Sequence, residues 1–232
     1  MNQIASKTAR ERLEQTRKRI DAACRDADRP AGAVRLLAVS KRKPVEAIRE
    51  LHALGQRAFG ENYVDEGVEK IAALGDLDLE WHYIGPIQSN KTKLIAAHFD
   101  WVESIDRAKI VRRLDDQRPD GLAPLNVLIQ VNLDDESQKA GCAPEEIAEL
   151  ADRIADAEHL KLRGLMAIPA PREDHEEQRA AFAKLRELFD QLKERHPQVD
   201  TISAGMTGDL EAAILEGSTE IRIGTALFGP RD

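Results

Sequence analysis

The sequence predicts an α/β protein, a single (β/α)8 TIM barrel with an extra N-terminal helix. Three observations predict it. The chain has 232 residues, a common size for one such barrel. Short apolar runs alternate with segments of helical period, and the alternation completes eight times. No linker rich in Gly, Pro or Ser interrupts it, so residues 1–232 are expected to form one domain. An open doubly wound sheet is the other arrangement of such units, but eight of them in about 200 residues favour closure.

Residues 5–28 have helical spacing, with Leu13, Ile20 and Cys24 on one face, and Pro30 and Gly32 end the segment. This helix, within residues 1–30, is expected to pack against the outside of the barrel or cover one end. Leu36-Leu37-Ala38-Val39-Ser40 then reads as a buried parallel strand. Pro44 suits the first turn of the next helix, Val45 to Leu54, which Gly55 closes. Arg57 to Gly60 is the second strand and Val64 to Leu74 its helix. Glu80 to Gly85 is the third strand, with a helix from about Asn90 to His98. Trp101 to Ile105 is the fourth, with Ala108 to Leu114 after it. Leu125 to Val131 is the fifth, with Pro144 to Ala157 after it. Leu162 to Ile168 is the sixth, followed by the long helix Asp174 to Arg195. Thr201-Ile202-Ser203 leads to a helix from about Asp209 to Leu215, and Glu220 to Ile223 is the last strand.

The formal net charge is −8, with acidic and basic residues mixed along the chain, which serves solubility. No basic stripe suits a nucleic-acid backbone. No apolar run approaches the ~20 residues that span a bilayer, and the N-terminus has no apolar core of a secretory signal. The two cysteines, Cys24 and Cys142, lack zinc-site spacing and fit a reducing compartment. The expected location is the cytoplasm.

In such a barrel the site lies at the C-terminal ends of the strands. There the sequence has Lys41, Glu61 and Asn62, Pro86 and Gln88, Asp106, Asn132, Met166-Ala167-Ile168, Ser203 to Thr207, and Gly224-Thr225. Strand alternation puts Leu37, Val39 and Lys41 on one face, so if the first two point inward Lys41 points up the mouth. A neutral lysine amine there could add to an aldehyde. The competing account is a solvated lysine in the basic run Lys41-Arg42-Lys43. The loops after strands seven and eight, Ser203 to Gly208 and Gly224-Thr225-Ala226, suit an anion such as a phosphate: Gly lets backbone N–H groups approach it and hydroxyls can donate. Arg222 lies inside an apolar strand, so it needs either a carboxylate partner or a ligand to accept its hydrogen bonds. Trp81 and Trp101 read as packing aromatics. There is no Walker A sequence, no GxGxxG after a strand and no GxSxG elbow. The six histidines show neither HxH nor HExxH spacing, so no metal is expected.

Leu37 to Pro44 resembles the lysine segment of the pyridoxal phosphate homeostasis protein family, which is similar to the barrel domain of alanine racemase standing alone. The resemblance continues through Phe59-Gly60-Glu61-Asn62-Tyr63, Trp81 to Lys91 and Gly164 to Ile168, and ends with Ile221 to Gly229. It implies pyridoxal 5′-phosphate (PLP) as cofactor, a covalent aldimine on Lys41, and Arg222 facing the pyridine nitrogen. It implies Ser203, Gly224 and Thr225 at the phosphate, and Asn62 and Met166 lining the ring pocket. One stretch departs from the family's usual Gly-Met-Ser-Asp-Asp: this chain has Gly205-Met206-Thr207-Gly208-Asp209. An arginine opposite the ring nitrogen disfavours its protonation and weakens the ring as an electron sink. Alanine racemase also uses a tyrosine base from a partner's second domain, which is expected to be absent here. The expectation is therefore a monomeric PLP carrier in PLP homeostasis with little or no turnover, whose partners are PLP and the enzymes that supply or consume it. A PLP-dependent amino-acid racemase is the alternative. A barrel hydrolase or isomerase acting on a small phosphorylated substrate is a third account.

Overall fold

The computed structural model describes residues 7–134 and 140–229. It opens with α1 (Ala9–Asp26), followed by β1 (Arg35–Val39), α2 (Val45–Ala53), β2 (Ala58–Glu61), α3 (Val64–Ala73) and β3 (Glu80–Tyr83). Then come α4 (Thr92–His98), β4 (Trp101–Ile105), α5 (Ala108–Gln117), β5 (Leu125–Gln130), α6 (Ile147–Ala155) and β6 (Leu160–Met166). The series ends with α7 (His175–Arg195), β7 (Thr201–Ser203), α8 (Leu210–Leu215), β8 (Glu220–Ile223) and the one-turn α9 (Thr225–Phe228). Each strand pairs in parallel with the next, and β8 pairs with β1, so the sheet closes into an eight-stranded barrel. The open-sheet alternative is excluded.

The barrel has two apolar regions because successive strand residues point to opposite faces. Ala38, Phe59, Val102, Val127, Leu165, Ile202 and Ile221 face outward into the main core under the helices. Leu37, Ala58 and Ile84 form a small cluster inside, with Val39 against it. The alternation expected for Leu37 and Val39 therefore holds. In β6 the alternation slips by one residue: Val127 pairs with Leu162, but Leu128 pairs with Gly164. Gly164 has φ of 146°, and a Cβ there would stand 1.9 Å from the Thr201 carbonyl oxygen, so only glycine fits this irregularity. The slip lets Leu162 and Leu165 both join the outer core while Met166 turns inward to Trp101 and Leu128.

α1 lies on the outside of the barrel. Thr8 and Glu11 form a capping box, the Thr8 hydroxyl accepting the Glu11 N–H at 3.2 Å and the Glu11 carboxylate accepting the Thr8 N–H at 2.7 Å. Leu13, Ile20, Ala23 and Cys24 are buried along its inner stripe. Arg19 pairs with Glu211 of α8 at 2.8 Å, and Arg29 donates to the carbonyls of Ile214 and Ser218. The sequence-predicted helix from Pro144 is a 3₁₀ turn, Pro144–Glu146, running into α6. The sequence gives no sign of α9, because four residues are too few to display a helical period. Among the described residues, no helix is long and apolar enough to cross a membrane. Both cysteines are buried, and burial pushes the Cys142 thiol up to about 12, so it is an inert packing residue.

Candidate functional site

The predicted site residues all lie at the C-terminal ends of five strands that are consecutive around the closed barrel: β6, β7, β8, β1 and β2. Met166 ends β6 and pairs with Ser203, which ends β7. Ser203 pairs with Glu220 on β8, and Leu37 on β1 pairs with Arg222. Gly224 follows β8 and lies against β1, where a Cβ would meet the Val39 carbonyl oxygen at 3.5 Å. Lys41 follows β1 and Asn62 follows β2.

Lys41 is half-buried and forms no hydrogen bond or ion pair among the described residues. The Asn62 side-chain oxygen is buried and without a partner. Its main chain is pinned by Gly85, whose absent Cβ would stand 2.1 Å from the Asn62 carbonyl oxygen. Met166 is fully buried. Arg222 is buried, with Nη1 donating to the Ser203 carbonyl and hydroxyl at 2.7 and 2.6 Å and Nη2 to the Ala167 carbonyl at 2.8 Å. A guanidinium has five N–H donors, so these bonds fix its plane and leave donors over. The carboxylate partner that the sequence argument asked of Arg222 is Glu103, 4.0 Å away. The Ser203 hydroxyl donates to Glu103 at 2.6 Å and accepts from Arg222. It is fully buried and engaged inside the barrel. In the loop after β7, Asp209 accepts the Met206 N–H at 2.6 Å, and Arg19 of α1 donates to the Thr207 carbonyl. The departure at Thr207-Gly208-Asp209 therefore keeps an acidic residue closing the turn.

Below the mouth lies a charged network that sequence reasoning missed. His82 is completely buried between Glu103 at 2.7 Å on Nδ1 and Glu80 at 2.8 Å on Nε2. Glu220 stands 4.0 Å from the same imidazole, and Arg35 reaches Glu220 at 3.7 Å. Trp101 stacks flat on His82, with ring centroids 5.1 Å apart. Burial alone would pull the His82 pKa down, but Glu220, Glu103 and Glu80 outweigh it and push it up to about 9. Burial and the charge of Glu103 push Glu220 up to about 7. Burial opposes ionisation of Glu103, yet His82, Arg222 and Ser203 hold its pKa below the ordinary value. His82, Glu103 and Glu220 bring ligand-type atoms within 4.8 Å of one another. Arg35 and Arg222 already bring positive charge to these carboxylates, so a proton on His82 balances the group without a metal. No sequence spacing signals this cluster, because its members come from β3, β4 and β8. The one usable signal is the argument applied to Arg222: a polar side chain in the middle of a barrel strand.

The pH dependence of stability follows. The His82 pKa is raised from 6.5 to about 9, so its contribution is fully present below pH 6.5 and lost as pH rises through about 9. Glu220, raised from 4.5 to about 7, acts in the same direction at lower pH. The His82 part corresponds to about 3 kcal/mol. Urea unfolding is expected to show a midpoint that falls between pH 6.5 and pH 10. A midpoint that is flat over this range would show that His82 is not held protonated.

Fold and site together define a closed (β/α)8 barrel of the alanine racemase N-terminal domain class. Residues 12–232 match the family model described as alanine racemase, N-terminal domain. The chain belongs to the pyridoxal phosphate homeostasis protein family. It is 55% identical over 229 residues to the pyridoxal phosphate homeostasis protein of Pasteurella multocida, covering 97% of this chain and 98% of that one. It is 52% identical over 235 residues to the protein of that name from Escherichia coli K12, covering 100% and 98%. Among solved structures, PipY of Synechococcus elongatus with PLP bound aligns with a TM-score of 0.84 at 36% identity, covering 96% of this chain and 100% of that one. Alanine racemase of Corynebacterium glutamicum aligns with a TM-score of 0.71 at 14% identity, covering 96% of this chain and 61% of that one, a likeness of fold alone.

Proposed function

We propose that this chain carries PLP as a Schiff base on Lys41 and serves PLP homeostasis with little or no catalytic turnover. The observation that carries the reading is the half-buried, unengaged Lys41 amine at the rim of β1, next to the strand that carries the buried Arg222. The names of the relatives and the PLP-bound PipY structure support it. The residues present fit such a ligand. The buried Asn62 oxygen, without a partner among the described residues, awaits a polar group, and Gly224 lies beside the main chain of Val39 on β1.

When bound, PLP would supply an aldehyde, and Lys41 would present the amine that condenses with it, one water being released. Gly224 and Thr225 hold the phosphate through main-chain N–H groups and the Thr225 hydroxyl. Ser203 contributes the main chain of its loop, because its hydroxyl is engaged by Glu103 and Arg222. Asn62 and Met166 line the ring. Arg222 would face the ring nitrogen and, being permanently charged, would keep a proton off it, which would make carbanion chemistry hard. Exchange of the Lys41 amine with free amines provides uptake and release, connecting the protein to enzymes that supply or consume PLP. A cytoplasmic monomer is the proposed working form.

Borohydride reduction of the PLP-loaded protein and peptide mapping test the reading. The pyridoxyl group is expected on the Lys41 peptide; its absence there would reject the site. A racemase would instead exchange the α-hydrogen of an amino acid for deuterium at enzyme-like rates, on the order of 1 s⁻¹ or faster. Such exchange would reject the carrier part.

A further inference from the structure

Ser40, Lys41, Arg42 and Lys43 form a turn closed by the Lys43 N–H donating to the Ser40 carbonyl at 3.0 Å. Arg42, in its third position, has φ of 59°, where glycine is the usual residue. Such a backbone persists only where its surroundings hold it. The holding group is Lys70 on α3, itself buried. Its ammonium donates to the Ser40 carbonyl at 2.7 Å, to Glu61 Oε1 at 2.8 Å and to Glu66 Oε1 at 2.6 Å. These three acceptors use all three N–H donors of an ammonium. Glu61 Oε1 also accepts the Ser40 hydroxyl at 2.6 Å, and Glu66 Oε1 accepts the Arg42 N–H at 2.5 Å. The residue before Lys41 is thus tied to this ammonium directly, and the residue after it through a single carboxylate. Lys41, between them, makes no hydrogen bond or ion pair among the described residues.

Lys70 shares a buried helix face with Val64 and Gly67, where an apolar side chain is the ordinary occupant. A buried ammonium with its carboxylates is no stronger a packing element than an apolar residue of the same volume. What it adds is a fixed path for the turn. We propose that Lys70 is a positioning residue for Lys41, holding the turn after β1 so that the Lys41 amine meets an aldehyde whose phosphate is anchored at β8. The proposal rests on the reading of Lys41 given above. Displacing a reacting group by about 1 Å can cost up to a hundredfold.

The test compares PLP with 4′-deoxypyridoxine 5′-phosphate, which has the ring and phosphate but no aldehyde. In Lys70→Met, PLP affinity is expected to fall by about tenfold or more, while affinity for the analogue stays within about twofold. Far-ultraviolet circular dichroism is expected to match the parent protein. Glu66→Ala, a milder change at a half-exposed residue, is expected to lower PLP affinity about threefold with the same sparing of the analogue. It decides the matter if Lys70→Met does not fold. Unchanged PLP affinity in the variant that folds would overturn the proposal, and so would equal losses for PLP and the analogue. Failure of the underlying reading looks different: the parent protein itself would bind both compounds alike and give no borohydride-fixed product on Lys41.

Discussion

Lys41→Ala is expected to abolish the visible absorbance of the PLP-loaded protein and its fixation by borohydride. No other amine is expected to take the place of Lys41, because the proposed chromophore depends on conjugating the aldehyde with a nitrogen at this rim. Lys43 shares its parity but closes the turn, beside Pro44, where the strand has ended. Lys43→Ala is therefore expected to keep the colour. The loss in Lys41→Ala is a loss of chemistry and not of fold. The side chain is half-buried and makes no hydrogen bond or ion pair among the described residues. Its truncation is expected to move stability by no more than about 0.5 kcal/mol. Coincident urea curves with one coloured and one colourless protein would be the full result. Colour that survives the substitution would refute the assignment.

Glu103→Ala is expected to destabilise the protein by about 3–5 kcal/mol, the range for removing one partner from a buried ion pair. Glu103 accepts from His82 at 2.7 Å and from Ser203 at 2.6 Å, and it is the carboxylate 4.0 Å from Arg222. Without it the buried imidazolium loses its Nδ1 acceptor, and Ser203 no longer orients Arg222. Against a total stability of about 5–15 kcal/mol for a typical domain, this is a large fraction. Equilibrium urea unfolding measures it. Removing both charges, in His82→Leu with Glu103→Leu, is expected to cost less than Glu103→Ala alone, because no uncompensated ion is left behind. A Glu103→Ala loss below about 1 kcal/mol would show that the network carries little energy.

The strand ends were legible because a parallel barrel writes them as local signals. Leu37-Ala38-Val39 announces a buried strand, and alternation alone brings Lys41 to the rim. Arg222 was legible as a charge where apolar residues belong. The network of His82, Glu103 and Glu220 rests on the same kind of signal, but no sequence spacing links β3, β4 and β8. Lys70 was less visible still: in a helix rich in charge, nothing local distinguishes a buried lysine from a solvated one. The Ser203 hydroxyl, expected at an anion, is engaged by partners that sequence separations of 100 and 19 residues hide.

By itself the sequence determined the order of the eight strands and the helices between them, the parity of β1 and the residues that follow each strand at the C-terminal rim. These depend on hydrophobic period and on glycine and proline, which act over a few residues. Only the tertiary structure decided which buried charges meet, which hydroxyl is already engaged and that Lys41 makes no hydrogen bond or ion pair among the described residues. Those outcomes depend on distances of a few ångströms between residues far apart in the chain, and closing the barrel is what sets them.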